Sequence, residues 1–362
     1  MAKRKGKDEE LTADTVFDHK VRPAVKAGIA LGFLAVLVVS IGLGRYTIQL
    51  GYTPLDTLKV IWLHFANPEA LTREADPGLH GLDGSIFTDR LPRIILVLLV
   101  GAALSTAGAA YQGMFKNPLV SPDLLGASAG ASLGACLAML AGQPDVVVQL
   151  GAFLGGLIAV GITVWMRGMI KSDAILGLVL AGMLVSSLFQ SGMSFVKLVA
   201  DTNDQLPSIT YWLMGSFHSS QWKDVILAIV PMAIGFALML SQAWKLNVMS
   251  FGDDEARAMG VNTTRSRLIV ILGATLVSST SVAVSGIIGW VGLVIPHFAR
   301  AMVGPNYKVL LPACIVVGAA YLLVIDDLAR LLLTVEIPIG ILTAILGVPF
   351  FLVIFRKTSR GW

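Results

Sequence analysis

Charge is scarce in this chain. Only 14% of its 362 residues are Asp, Glu, Lys or Arg, whereas 55% are apolar. That balance excludes an ordinary soluble enzyme, whose surface needs roughly a quarter of all residues charged. Cysteine is almost missing too. Cys136 and Cys314 both fall in apolar runs, which argues against a disulfide or a thiolate metal site and makes each a small buried hydrophobe. The five histidines are dispersed, with His19, His64, His80 and His218 in tails and outer loops. His297 therefore lacks companions for metal binding or general-base work, and a hydrogen-bonded structural role is expected for it. No cofactor or metal site is expected. No G-x-x-x-x-G-K-[ST] phosphate loop occurs, so the chain has no such route to ATP hydrolysis.

What the chain has in quantity is apolar helix. Uncharged runs near the bilayer-spanning length recur along it. They do not alternate polar with apolar, which excludes a porin-like barrel, and helices alone satisfy their own backbone in hydrocarbon. The expected fold is all-α, with ten spans at 24–44, 92–114, 124–142, 146–166, 174–196, 224–243, 267–286, 290–303, 309–326 and 338–355. The eighth is short and broken by Pro296. The polar amino terminus is too long for a cleaved signal peptide, so the first span reads as retained.

With that terminus inside, most of the 27 lysines and arginines fall on the cytoplasmic side. This asymmetry predicts a multi-pass cell-membrane protein with both termini cytoplasmic. The net charge of +4 then reflects topology, and no nucleic-acid partner is inferred. The expected organisation is a tail over 1–23, a permease domain over 24–355 and a tail over 356–362. The domain carries an external loop at 51–89 and a cytoplasmic loop at 244–264.

Several clusters invite interpretation. Gly126, Gly130 and Gly134 form a small-residue ridge suited to close helix packing. Ser187, Gln190, Ser191 and Ser194 make a polar stripe on the fifth span, fit either to line an aqueous path or to bond a neighbouring helix. Asp253, Asp254 and Glu255 open a short helix in the internal loop, where carboxylates suit the positive dipole end, and Gly260 is placed to stop it. That helix is a docking element or a simple connector. Asp326 and Asp327 precede Arg330 by four and three residues and can pair with it. No acid is expected at mid-bilayer, which disfavours a carrier driven by an embedded ionisable group.

Read together, the motifs resemble the permease subunit of the ABC importers for iron-siderophores, haem and vitamin B12. They run in order: RLPR at Arg90–Arg93, NPL at Asn117–Leu119, PDLLG at Pro122–Gly126 and LAG at Leu180–Gly182. WLMGSF at Trp212–Phe217, GDDEARAMGV at Gly252–Val261 and GWVGLVIPHFAR at Gly289–Arg300 follow. DDLAR at Asp326–Arg330 and PIGILTAILGVPFF at Pro338–Phe351 complete the series. The resemblance implies a type II ABC importer permease fold that does no catalysis itself. It implies a second permease copy, two ABC ATPase subunits and an extracytoplasmic substrate-binding protein as partners. By the same resemblance Arg90, Arg93 and Arg330 receive acidic residues of the binding protein. Gly252, Asp253, Asp254, Glu255, Ala256, Arg257 and Gly260 form the coupling region on the ATPase. Asn117, Pro118 and Leu119 form one internal gate, a second lies at Ser172, and the Ser187–Ser194 stripe faces a shared axis.

The expected cargo is an iron chelate, a siderophore or haem. The stretch FKNPLVSPDLLG with Tyr111 and Gln112 ahead of it also resembles a branch that includes molybdate and tungstate importers, so vitamin B12, molybdate and tungstate remain alternatives. An ion-coupled secondary carrier, an exporter and a membrane enzyme are the readings from other classes. The sequence assigns no role to the long charged tail or the extended loop before Arg90.

Overall fold

The computed structural model describes residues 21–44, 51–169 and 174–358. The tail up to Lys20, Ser172 of the second expected gate and the last four residues lie outside them. Among the described residues seven helices are long and apolar enough to cross a bilayer, and three shorter apolar helices accompany them. Each of the ten expected spans overlaps one of these.

In chain order, α1 is Pro23–Gly42, and the segment expected outside folds into α2 (Pro54–Ala66) and α3 (Pro77–Gly84). A π-turn at Ser85–Arg90 then runs directly into α4 (Leu91–Phe115). The chain continues through α5 (Ala127–Leu140), α6 (Asp145–Met169), α7 (Ala174–Val199) and the short α8 (Gln205–Leu213). Next come α9 (Trp222–Ser241), α10 (Ala243–Met249), α11 (Asp253–Ala258) and α12 (Thr263–Ser285). The last three are α13 (Val291–Val303), α14 (Tyr307–Leu331) and α15 (Ile339–Thr358).

The centre is α4. Its sequence is apolar on every side, which in a helix means burial all round, and nearly every residue from Val100 to Phe115 is buried. Helices α9, α12, α13 and α14 pack around it. Glycines set the closest approaches. A β-carbon at Gly108 would collide with the Gly292 carbonyl of α13, and one at Gly101 with the Gly318 carbonyl of α14. The Gly130 and Gly134 ridge packs on Gly155 and Gly151 of α6 in the same way, as its spacing predicts. In α12 the hydroxyls of Thr275, Thr280, Ser281 and Ser285 donate to carbonyls four residues back. A polar helix can thereby sit in an apolar interior.

Helix α13 has 13 residues, about 20 Å of rise against a hydrocarbon core of about 30 Å. The shortfall is made up by the non-helical stretch 286–290, which meets other broken ends inside the protein. Ser216 donates its backbone N–H to the Ser285 carbonyl at 2.8 Å, and Ile339 donates to Gly215 at 2.9 Å. Gly286 and Gly215 both have positive φ at this junction, where a side chain would strain the backbone.

Candidate functional site

The end of the bundle where α4 begins holds a buried ion cluster. Arg93 stands in the first turn of α4 and donates to Asp326 of α14 at 2.8 Å. It also donates to Glu336, in the loop before α15, at 2.9 Å. Arg330 lies 3.1 Å from Asp326 and pairs with Asp327, the one-turn pairs expected from spacing. Ser40 of α1 donates to Asp327 at 2.8 Å, and His218 lies 3.5 Å from Glu336. Arg90 donates to the Ile41 carbonyl at 2.7 Å.

The cluster therefore ties α1, α4, α14 and the α14–α15 loop together. All three arginines are buried in the chain, with 5–7% of each exposed. Their remaining surfaces line one depression of about 510 Å³ with Asp89, His218 and Glu336. Burial opposes ionisation of Glu336, but the Arg93 and His218 charges outweigh it and hold its carboxyl below the usual range.

At the other end, Asp253 opens α11 and joins two elements. Arg267 of α12 reaches it at 2.7 Å, and Lys116 just past the end of α4 reaches it at 3.3 Å. Burial disfavours its charge, yet the two cations prevail and keep its carboxyl below the usual range. Arg257 sits 3.7 Å from Asp254 on the solvent side, and Glu255 folds back over Gly252. Ala256 is buried. The helix stops as its sequence predicts. Gly260 is left-handed, and Gly260 and Val261 donate back to the carbonyls of Arg257 and Ala256, a Schellman closure.

Lys116, itself left-handed, leads straight into the Asn117–Leu119 loop. Asn117 Oδ1 accepts from the Leu119 N–H at 2.9 Å. The Pro118 carbonyl accepts from His297 at 2.9 Å, so the expected structural histidine holds the loop. Gln112, one turn earlier, accepts from Arg300 at 3.2 Å and faces the Leu293 carbonyl. Sequence reading gave Lys116 and Gln112 no site role, because their partners lie far away in the chain.

No acid is expected at mid-bilayer, and Asp123 falls at the edge of the third expected span; the Pro122–Leu125 turn carries it in among the helices. The Leu124 carbonyl lies against Gly182 of α7, Gly126 against Val185 and Ser186, and Pro122 against Gly292. Gly182 is about 12 Å along α7 from its start, so the turn is enclosed by the protein's own helices. Asp123 accepts a hydrogen bond from Ser128, which compensates a carboxyl that hydropathy alone leaves at a span edge.

The stripe on α7 bonds its own helix. Ser187, Gln190, Ser191 and Ser194 are exposed on the outer face of the chain. Ser191 and Ser194 donate to the carbonyls of Ser187 and Gln190. No hydrogen bond from the stripe to another helix is found among the described residues. Leu184, Leu188 and Phe195 are exposed beside them.

A family model described as the FecCD transport family matches residues 31–357. The molybdate import system permease MolB of Haemophilus influenzae is 37% identical over 342 residues, covering 94% of this chain and 97% of that protein. The hemin transport system permease HmuU of Yersinia pestis is 34% identical over 356 residues, covering 93% and 98%. A solved structure of a metal-chelate type ABC transporter in an inward-facing conformation superposes with a TM-score of 0.79. It is 37% identical, and the match covers 92% of this chain and 99% of that one. The ordered motifs, the helical architecture and these similarities agree: the chain is a multi-pass membrane permease and belongs to the FecCD transport family.

Proposed function

We propose that two copies of this chain form the gated conduit of an ATP-driven importer, with both termini cytoplasmic. Two separate ATPase subunits sit beneath it, and an extracytoplasmic binding protein delivers an iron chelate, a siderophore or haem. The observation that carries this reading is the polarity of the fold. Buried arginines open on a cavity at one end, and a short helix is tied by Asp253 to the Asn117–Leu119 loop at the other. Guanidinium groups suit docking of carboxylates because they are directional and stay charged at physiological pH. The exposed mixed face of α7 suits a wall shared by two copies around an axis.

The similarity to a molybdate permease over nearly the whole chain supports an oxyanion cargo as the second reading. Reconstitution tests both. Proteoliposomes containing the chain, its ATPase and its binding protein should concentrate the cargo only with ATP, and the chain alone should concentrate nothing. Competition between haem, ferric siderophores and molybdate for the binding protein then names the cargo. Arg90→Glu with Arg93→Glu should weaken binding-protein capture in a pull-down; unchanged affinity would remove the docking assignment.

A further inference from the structure

A second basic site lies beside the coupling segment, on the face away from Asp253. A cavity of about 370 Å³ opens between the start of α10, the segment after α11 and the first turns of α12. Trp244, Lys245, Asn262, Arg265, Ser266 and Ile269 are among the residues that line it. Nearby carboxylates are engaged elsewhere. Asp253 is shared by Lys116 and Arg267, Asp254 faces Arg257, and Glu255 turns back on Gly252. Among the described residues neither Lys245 nor Arg265 has an ion pair.

The wall next to this cavity changes character within one helical turn. Arg265, Leu268, Ile269 and Leu272 follow one another on a single stripe of α12, at spacings of three and four. Leu268 and Leu272 are about half exposed. Leu240, near the end of α9, is exposed as well, and α9 packs along α12. The cationic mouth thus continues into an outward-facing apolar groove. Trp244 stands at the join with its indole partly exposed, the depth that tryptophan favours at a membrane boundary.

We infer that this cavity binds the headgroup of an anionic phospholipid. Lys245 and Arg265 take the phosphate through charge-assisted hydrogen bonds, Trp244 lies at the glycerol level, and the acyl chains run along Leu268 and Leu272. The leaflet follows from the orientation proposed above and is the cytoplasmic one, where basic pockets between helices attract acidic headgroups. The occupant is a lipid because the cations alone would suit any phosphate, whereas the apolar stripe beside them suits only one with a hydrocarbon tail.

The test uses the full-length chain, purified from membranes with its companion subunits and placed in nanodiscs of equal parts phosphatidylglycerol and phosphatidylcholine. Native mass spectrometry counts the lipids that stay bound. Phosphatidylglycerol should be retained in preference to phosphatidylcholine. Lys245→Gln with Arg265→Gln should lower that retention about 30-fold, the effect of two surface cations. Lys245→Arg with Arg265→Lys should preserve it, and Lys223→Gln, at the far end of α9, should leave it unchanged.

Equal retention of the two lipids, or full retention by the doubly neutralised variant, would overturn the assignment. Displacement by an equal concentration of inorganic phosphate would give the site to a soluble anion. Retention of the lipid only after the ATPase subunits are stripped away would give the surface to a protein contact; either result overturns the lipid. The readout needs neither docking nor transport, so its failure leaves the permease reading standing.

Discussion

His297 Nε2 lies 2.9 Å from the carbonyl oxygen of Pro118, which joins the proline-broken α13 to the loop after α4. A carbonyl only accepts, so Nε2 carries the hydrogen. His297→Ala removes a bond of about 1 kcal/mol from the restraint on that loop, and His297→Gln keeps a donor. The alanine variant should show faster passive leak of cargo through reconstituted vesicles, roughly five-fold, and the glutamine variant close to none. Equal leak in both would mean the imidazole acts only by its bulk.

The Arg93–Asp326 cluster has a hierarchy. Asp326 is fully buried and serves both Arg93 and Arg330, whereas Glu336 is partly exposed and serves Arg93 and His218. Asp326→Ala removes the carboxylate that two buried cations share, leaving Glu336 to Arg93 and Asp327 to Arg330, and should cost about 3 kcal/mol. Glu336→Ala should cost clearly less. Thermal unfolding of the purified chain reads the difference, and similar losses would show that the hydrogen-bond counts do not rank the contributions.

Acid should act through Glu336. Its carboxyl is held below the usual range by Arg93 and His218 against the opposing effect of burial. A carboxyl with a depressed folded-state pKa contributes stability that is complete above its unfolded value and is lost as pH falls through the folded one. The melting temperature should therefore vary little through this group from pH 7 to about 5, then fall below about pH 4. Glu336→Gln should flatten part of that fall. Asp253 carries a shift of the same sign, so Asp253→Asn should remove a separate part.

Glycine positions separate tight packing from open surface. Gly108→Ala would drive a methyl into the Gly292 carbonyl, whereas Gly28→Ala meets nothing within 4 Å. The first should abolish accumulation of folded protein in membranes. The second should leave yield and melting temperature unchanged, as an exposed helical glycine gains slightly from alanine. Fluorescence-detected size exclusion of both variants checks the contrast.

Much of the fold was legible because hydrocarbon imposes a simple code. The all-round apolarity of Leu96–Ala110 marks a central helix, and α4 is central. The Asp326–Arg330 and Gly130–Gly134 spacings were legible because their consequences are local to one helix or one ridge. Asp123 was not. Hydropathy scores a turn by its content, and Pro122–Leu125 is enclosed only because Gly182 and Gly292 leave room for it. The α7 stripe is legible as polar but not in what it faces, because a serine on a helix can bond its own backbone. Gln112 and Arg93 find partners 188 and 233 residues away, a reach no window along the chain covers.

Asp253 holds Lys116 with one oxygen and Arg267 through the same carboxylate, and Lys116 is the residue immediately before Asn117. In the importer proposed above, a push on α11 would therefore arrive at the proposed inner gate after a single covalent step, with no long lever to bend on the way. Such a linkage favours small, fast strokes over large swings. It would also make one side chain the weakest joint between motor and valve, where slackness would let fuel burn while nothing moves.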